Sequence, residues 1–234
     1  MAYSVADREY MSRALELAAK GRFTTTPNPS VGCVLVIDGK IIGEGYTRPA
    51  GGNHAEVEAL KAAKSAKGAT AYVTLEPCSH TGKTGPCVQA LIDAGISRAV
   101  IACEDPNPKV AGEGIKMLQD AGVEVASGLY EDQARELNKG FIKRHEQGLP
   151  WVVVKIASSL DGRTAMASGQ SQWITTPASR KDVQRLRAAN CAIITGIGTQ
   201  LMDDPSLTVR ITNEDVGVED SLRQPLRVVV DSKL

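Results

Sequence analysis

His54, Glu56, Cys78 and Cys87 bracket one strand-sized segment, "TAYVTL", in a chain with only three histidines and five cysteines. Two thiols, an imidazole and a spare carboxylate can serve a metal ion only if the fold brings them to one point. His54 opens a predicted helix, Cys78 follows the strand, and Cys87 opens the next helix, because Pro86 sits at a position suited to a first helical turn. In parallel α/β units such helix starts gather at one end of the sheet. Helix N-termini also favour thiolate over thiol, the form a metal binds.

The rest of the sequence supplies units of that kind. Asp7 can cap a helix running to Gly21, with Met11, Leu15 and Ala18 on one face. "TTTPNPS" follows as a rigid loop with two prolines. "VGCVLVIDGKIIGEGY" reads as two strands joined at Asp38-Gly39, a hairpin turn dipeptide. Asn53 can cap a helix that begins at His54 and stops before Gly68. Its Val57, Leu60 and Ala63 fall at helical spacing, with Lys61, Lys64 and Lys67 towards solvent. Another helix runs from near Cys87 to before Gly95, "RAVIAC" is a strand, "IKMLQDAG" a helix and "VEVASG" a strand. "EDQARELNKGFIKRHEQG" reads as one charged amphipathic helix. Strands alternating with helices mean α/β, with parallel crossovers in the later section. A boundary falls near Gly148-Leu149-Pro150, giving expected domains 1–148 and 149–234. Beyond it "WVVVKIA" starts a fresh strand, "SRKDVQRLRAAN" is a helix, "CAIITGIG" a strand and "PLRVVVDS" a late strand. A length of 234 residues suits one or two domains.

Composition narrows the function. Lys+Arg and Asp+Glu are both 27, so no basic surplus points to nucleic acid or a membrane surface. Aromatics make up 4%, few stacking platforms for single strands. The first residues carry charges and no apolar signal region, and no apolar run approaches the roughly 18 residues of a membrane helix. A cytoplasmic protein with reduced thiols is expected. Cys33, Cys103 and Cys191 lie in apolar strands and read as core residues.

Catalytic zinc usually takes three protein ligands and leaves a fourth position for water. His54, Cys78 and Cys87 supply that number. Glu56, two residues past His54, does not share a helical face with it. It can stand over the fourth position and move protons, beside a water whose pKa the metal lowers towards 7. A structural site is the competing reading. It would want a fourth protein ligand, and His80 lies in the loop between the two cysteines.

His54-Ala55-Glu56 with Pro77-Cys78 is similar to the H-x-E and P-C-x-x-C signature of zinc nucleobase deaminases. Here eight residues separate the two cysteines, where that signature has two. "TTTPNPSVGCV", "HAEVEAL", "YVTLEPCSHTGKTGPC" and "DPNPKVAGEG" together resemble a narrower family, the bifunctional deaminase-reductases of riboflavin biosynthesis. The likeness continues through "SLDGRTAMASGQSQWIT" and "DDPSLTVR" and so covers nearly the whole chain. It implies a three-layer, cytidine-deaminase-like domain with a mixed sheet, followed by an incomplete dihydrofolate-reductase-like α/β domain. It implies hydrolytic removal of the 2-amino group from a diaminopyrimidinone carrying a phosphoribosylamino group, with Zn2+ at the ligands above and Glu56 as proton carrier. Asn28 has an amide suited to a pyrimidine edge. His80 and Lys83 are candidate phosphate contacts, and Arg48 is a weaker one.

For the second half the resemblance implies an NADPH-dependent reduction of the ribosyl side chain to ribityl. Ala157, Trp173, Thr199 and Asp203 would line the NADPH site. Ser171, Arg187, Leu207 and Arg210 would hold the substrate, the two arginines offering planar charged forks to a phosphate. Family members continue past "VVVDSKL" with a glycine-rich cofactor loop and further strands, so the chain reads as lacking the C-terminal part of the reductase domain. The expected partners are a small-molecule phosphoribosylaminopyrimidine and further copies of the chain in a homo-oligomer, with no nucleic acid and no membrane.

Overall fold

The computed structural model describes residues 3–80, 85–108 and 110–233. The chain forms two compact units, Met1–Trp151 and Val152–Leu234.

The first unit opens with α1 (Val5–Lys20). Its N-cap is Ser4, where the sequence suggested Asp7. Asp7 completes a capping box: its N–H donates to Ser4 Oγ at 3.0 Å and its Oδ2 accepts the Ser4 N–H at 2.9 Å. The carboxylate is buried, and its Oδ1 accepts from Tyr72 at 2.9 Å and from Arg98 at 2.6 Å. One side chain thus ties the start of α1 to two strands.

Strand β1 (Gly32–Ile37) and β2 (Lys40–Tyr46) form the expected hairpin. Asp38 and Gly39 both have positive φ, 49° and 71°, the conformation whose twist suits a two-residue hairpin. With β3 (Thr70–Val73), β4 (Arg98–Ile101) and β5 (Glu124–Ser127) they make a mixed sheet in the order β2-β1-β3-β4-β5. β1 runs antiparallel to both neighbours, while β3, β4 and β5 are parallel. The C-terminal ends of β2, β3 and β4 therefore lie at one edge of the sheet, where the helix starts also gather.

Helix α2 (Ala55–Ala62) is shorter than the pattern suggested, because the chain turns extended at Ala63 and buries Ala66 instead. Its fully buried residues are Ala55, Glu56 and Ala59, while Leu60 and Ala63 of the expected stripe pack half-buried against the same core. The reason lies on β2. A Cβ at Gly45 would meet Ala55 O at 2.3 Å and Ala59 N at 2.5 Å, so helix and strand touch backbone to backbone. Only small side chains fit such a contact. α3 (Cys87–Asp93) and α4 (Glu113–Asp120) follow α2 on that face, and α1 covers the other with α5 (Glu131–Leu137). The expected three layers result. Leu35, Val73, Val88, Leu91, Val100, Ile101 and Leu118 are fully buried between them. Each such side chain contributes about 1.5–3 kcal/mol.

The last helical stretch corrects the sequence reading. It breaks at Asn138 into α5 and α6 (Lys139–Gln147). The Asn138 amide leaves the helical pattern to bind a distant loop.

In the second unit, α7 (Pro177–Ala189) starts on Thr176, whose Oγ1 accepts the Ser179 N–H, with Pro177 at the first helical position. β6 (Ala192–Gly196) and β7 (Leu226–Val230) pair in parallel, and α8 (Ile197–Asp203) and α9 (Asn213–Val216) lie between them. "WVVVKIA" is not a strand here. It pairs with neither β6 nor β7, and a strand without a ladder partner leaves its backbone groups to water. Val152, Val153, Val154 and Ile156 are exposed. Cys33 and Cys103 are buried as expected, but Cys191 is exposed at the start of β6.

Candidate metal centre and pocket

His54 is the N-cap residue of α2, with extended backbone (φ −79°, ψ 165°) and no side-chain capping bond. Its imidazole is free to turn to the two sulfurs. His54 Nδ1 lies 3.2 Å from Cys87 Sγ and 3.6 Å from Cys78 Sγ. The three ligand atoms lie within 4.8 Å of one another. Zinc bonds of about 2.3 Å to sulfur and 2.0–2.1 Å to nitrogen, at tetrahedral angles, place such N and S atoms roughly 3.5 Å apart. The donor set therefore fits a zinc ion in both chemistry and span. Among the described residues no fourth His, Cys, Asp or Glu joins the group. That composition favours an open coordination site over a closed one.

The electrostatics agree. Cys87 N–H donates to Cys78 Sγ at 3.3 Å. The Cys87 thiol, His54 and this N–H together draw the Cys78 thiol down to about 4, while Cys87, facing that thiolate, is pushed up. One negative charge is thus ready without a metal, and a dication would take the second proton off. Glu56 is 3% exposed, and burial pushes its carboxyl up to about 7. A carboxyl at that value can both accept and give up a proton near neutral pH.

These groups open into a pocket of about 160 Å³. A cavity of about 150 Å³ takes one benzene ring, so this one suits a single six-membered ring, with any larger substituent reaching outward. His54, Glu56 and Cys78 line it together with Asn28, Pro29, Val31 and Thr47 and with Leu75, Glu76, His80, Asp105, Asn107 and Phe141. Of the expected substrate contacts, Asn28 and His80 line this pocket. Lys83 lies outside the described residues. Arg48 is not among the described residues lining the pocket; its Nε donates to Glu58 at 3.1 Å and its guanidinium stacks on Tyr46 at 4.4 Å. The expected cap, Asn53, donates to the same Glu58 at 2.6 Å.

Asp105, Asn107 and Phe141 were missed. Asp105 and Asn107 belong to "DPNPKVAGEG", a loop whose rigid composition was visible but whose position over the pocket was not. Glu76 holds it there. The buried Oε2 accepts the Asp105 and Gly112 N–H groups at 3.1 and 3.0 Å, and Oε1 those of Gly114 and Ile115 at 2.8 and 3.2 Å. Glu76 thereby caps α4 from outside, supplying the acceptor that the N-cap Gly112 lacks. A Cβ at Gly114 would lie 2.2 Å from Pro77 O, so glycine is required for this approach to the Cys78 segment.

In the second unit Arg187 Nη1 donates to Thr208 O at 3.0 Å, beside Leu207. Burial and the nearby Arg210 guanidinium both lower the Arg187 pKa. Two guanidiniums in mutual repulsion suit a shared anion. The remaining expected residues stand on separate elements. Trp173 is exposed and stacks on Arg180 at 4.3 Å, Thr199 and Asp203 lie on α8, and Ala157 and Ser171 lie in the irregular segment before α7.

Comparison with known proteins places these features. Residues 4–103 match the cytidine and deoxycytidylate deaminase zinc-binding region, and residues 150–234 match the RibD C-terminal domain. The chain is 58% identical to the riboflavin biosynthesis protein RibD of Escherichia coli (strain K12) over 97% of its own length and 64% of that protein's. It is 56% identical to RibD of Haemophilus influenzae, over 99% of this chain and 64% of that protein. Among solved structures, Acinetobacter baumannii RibD superimposes with a TM-score of 0.90 at 50% identity, over 98% of this chain and 65% of that one. A Thermotoga maritima diaminohydroxyphosphoribosylaminopyrimidine deaminase/5-amino-6-(5-phosphoribosylamino)uracil reductase gives 0.88 at 41% identity, over 97% and 64%. The chain thus spans about 64% of the length of the curated relatives first matched.

Proposed function

We propose that the chain is a RibD-family protein over the residues it spans and that its first unit is a zinc-dependent deaminase of riboflavin biosynthesis. We assign it 2,5-diamino-6-(5-phosphoribosylamino)pyrimidin-4(3H)-one as substrate, and residues 1–148 as the deaminase domain. The observation that carries the reading is the His54-Cys78-Cys87 triangle beside buried Glu56, which lines a one-ring pocket.

A zinc ion held by these three side chains supplies Lewis acidity that lowers the pKa of a water towards 7. The chain's own residues do the rest. The pocket admits the pyrimidine ring, and Asn28 offers both donor and acceptor to its edge. His80 and Lys83 take the ribosyl phosphate that extends out of the one-ring space. The Glu56 carboxylate removes a proton from the attacking water and returns it to the departing 2-amino group. A C–O bond forms, the C–N bond breaks, and ammonia leaves with the proton it needs. Burial of Glu56 keeps that proton from exchanging with bulk water.

Residues 149–234 are assigned to the NADPH-dependent reductase portion. Arg187 and Arg210, with Leu207 and Ser171, face the substrate, and Ala157, Trp173, Thr199 and Asp203 face the cofactor. The exposed Val152, Val153, Val154 and Ile156 support self-association, which sedimentation measures directly. Thiolates at Cys78 and Cys87 require a reducing compartment, which suits the cytoplasm. The testing experiment is ammonia release from the diaminopyrimidinone ribosyl phosphate beside cytidine and deoxycytidylate. Turnover of the first alone supports the assignment, and turnover of cytidine or deoxycytidylate alone overturns the substrate.

A further inference from the structure

Asn138 lies between the spans that match known families, 4–103 and 150–234, and in none of the motifs that mark the metal site. It is 5% exposed and interrupts what would otherwise be one long helix. Its amide is used as a clamp. Oδ1 accepts the Ser30 N–H at 2.7 Å, Nδ2 donates to Ser30 O at 2.9 Å, and Nδ2 also reaches Ala134 O at 3.4 Å. Both backbone polar groups of one loop residue, Ser30, are thus satisfied by one side chain 108 residues away.

The clamped residue is two positions past Asn28. On the other side, the Asn28 N–H donates to Thr25 O at 2.9 Å, and Thr25 Oγ1 meets Ser30 Oγ at 3.1 Å. Pro29 between them has a fixed φ. Asn28 and Pro29 therefore hang between two anchors, and the second anchor is Asn138. One turn further along, Phe141 of α6 lines the same pocket as Asn28 and Pro29. The clamp therefore ties the Asn28 loop to the start of a helix that itself reaches the pocket.

We propose that Asn138 is a positioning residue for the deaminase pocket, holding Asn28 against the substrate ring. The inference rests on the proposed deaminase reading. An interaction with the ring that is equal in ground state and transition state appears in KM and leaves kcat unchanged.

The test is a double-mutant cycle on the full chain with zinc content matched across variants. Asn138→Ala raises KM about tenfold with kcat within about twofold. In an Asn28→Ala background the same change has less than about a twofold effect, because Asn138 acts through Asn28. Equal effects in both backgrounds, or a loss confined to kcat, overturn the proposal. Asn138→Gln keeps donor and acceptor on a longer arm and replaces the alanine variant if that one does not fold. A second readout needs no activity. Amide exchange at Ser30 and Val31 speeds up about tenfold or more in the Asn138 variant, while exchange in Tyr72 and Val73 stays unchanged. Unchanged exchange at Ser30 overturns the clamp even if ammonia is released. Faster exchange in a chain that releases no ammonia leaves the clamp standing and counts against the deaminase reading instead.

Discussion

Glu76 shows how a single side chain can carry a wall of the pocket. Four backbone N–H groups converge on its carboxylate, so an amide there would turn an NH2 towards donors and leave two of them unsatisfied. Each unmet buried donor costs about 1–3 kcal/mol. Glu76→Gln therefore lowers the urea unfolding midpoint and raises KM, as Asp105 and Asn107 lose their fixed place. An unchanged midpoint contradicts this role. In the sequence Glu76 stands beside Pro77-Cys78, and the motif reading assigns it no role. Nothing in its spacing revealed a loop 29–39 residues away as its partner. His54, Glu56, Cys78 and Cys87 were legible because metal chemistry restricts residue type and the strand–helix alternation restricts place. Asp105, Asn107 and Phe141 were not, since the contacts that bring them in are long-range and leave no periodic mark.

At the scale of elements, packing overrode local pattern. α2 carries an apolar stripe at Val57, Leu60 and Ala63 that is only half-buried, because Gly45 admits the helix so closely that Ala55, Glu56 and Ala59 take the most buried positions. This contact places Glu56 in the pocket. Gly45→Ala pushes α2 off β2 and carries His54 with it. We expect a stability loss of about 1–3 kcal/mol and zinc content well below that of the unaltered chain, measured by atomic absorption. Full zinc occupancy contradicts it. Asp7 fixes α1 to β3 and β4 in the same sense. The Arg98 guanidinium foremost, with Ser4 and Tyr72, holds its carboxyl well below the usual range against the opposing effect of burial. A depressed carboxylate stabilises the fold fully above its unfolded value of about 3.9. That stability is lost as pH falls through the lower folded value. Acid unfolding of Asp7→Asn should therefore be less steep below pH of about 4, and the variant less stable by about 3 kcal/mol at neutral pH. The break at Asn138 belongs here too. Helical periodicity continues unbroken through "RELNKGF", and only the distant Ser30 backbone explains the interruption.

The first unit has a dense core, while the second buries few apolar residues and leaves Ile194, Leu201, Met202 and Leu226 exposed. The α/β class and the hairpin, strand and helix order of the first unit followed from alternation and turn residues. The second unit was read less well, because "WVVVKIA" has strand composition without a ladder partner in this structure. Among the described residues no helix is long and apolar enough to cross a membrane. Metal removal tests the linkage of site and fold. A ligand at a hundredfold excess over Kd stabilises by about 2.7 kcal/mol, so chelation lowers the melting point of the first unit by roughly 5–10 °C, and zinc restores it. No shift on chelation contradicts a site built into the fold. The most direct measurement is ammonia release by the purified chain and by Glu56→Gln, with zinc determined on the same samples. The account predicts equal zinc in both, ammonia from the unaltered chain, and a loss of about a hundredfold or more in the variant. Equal ammonia release from both proteins, or equal zinc with no release from either, contradicts it.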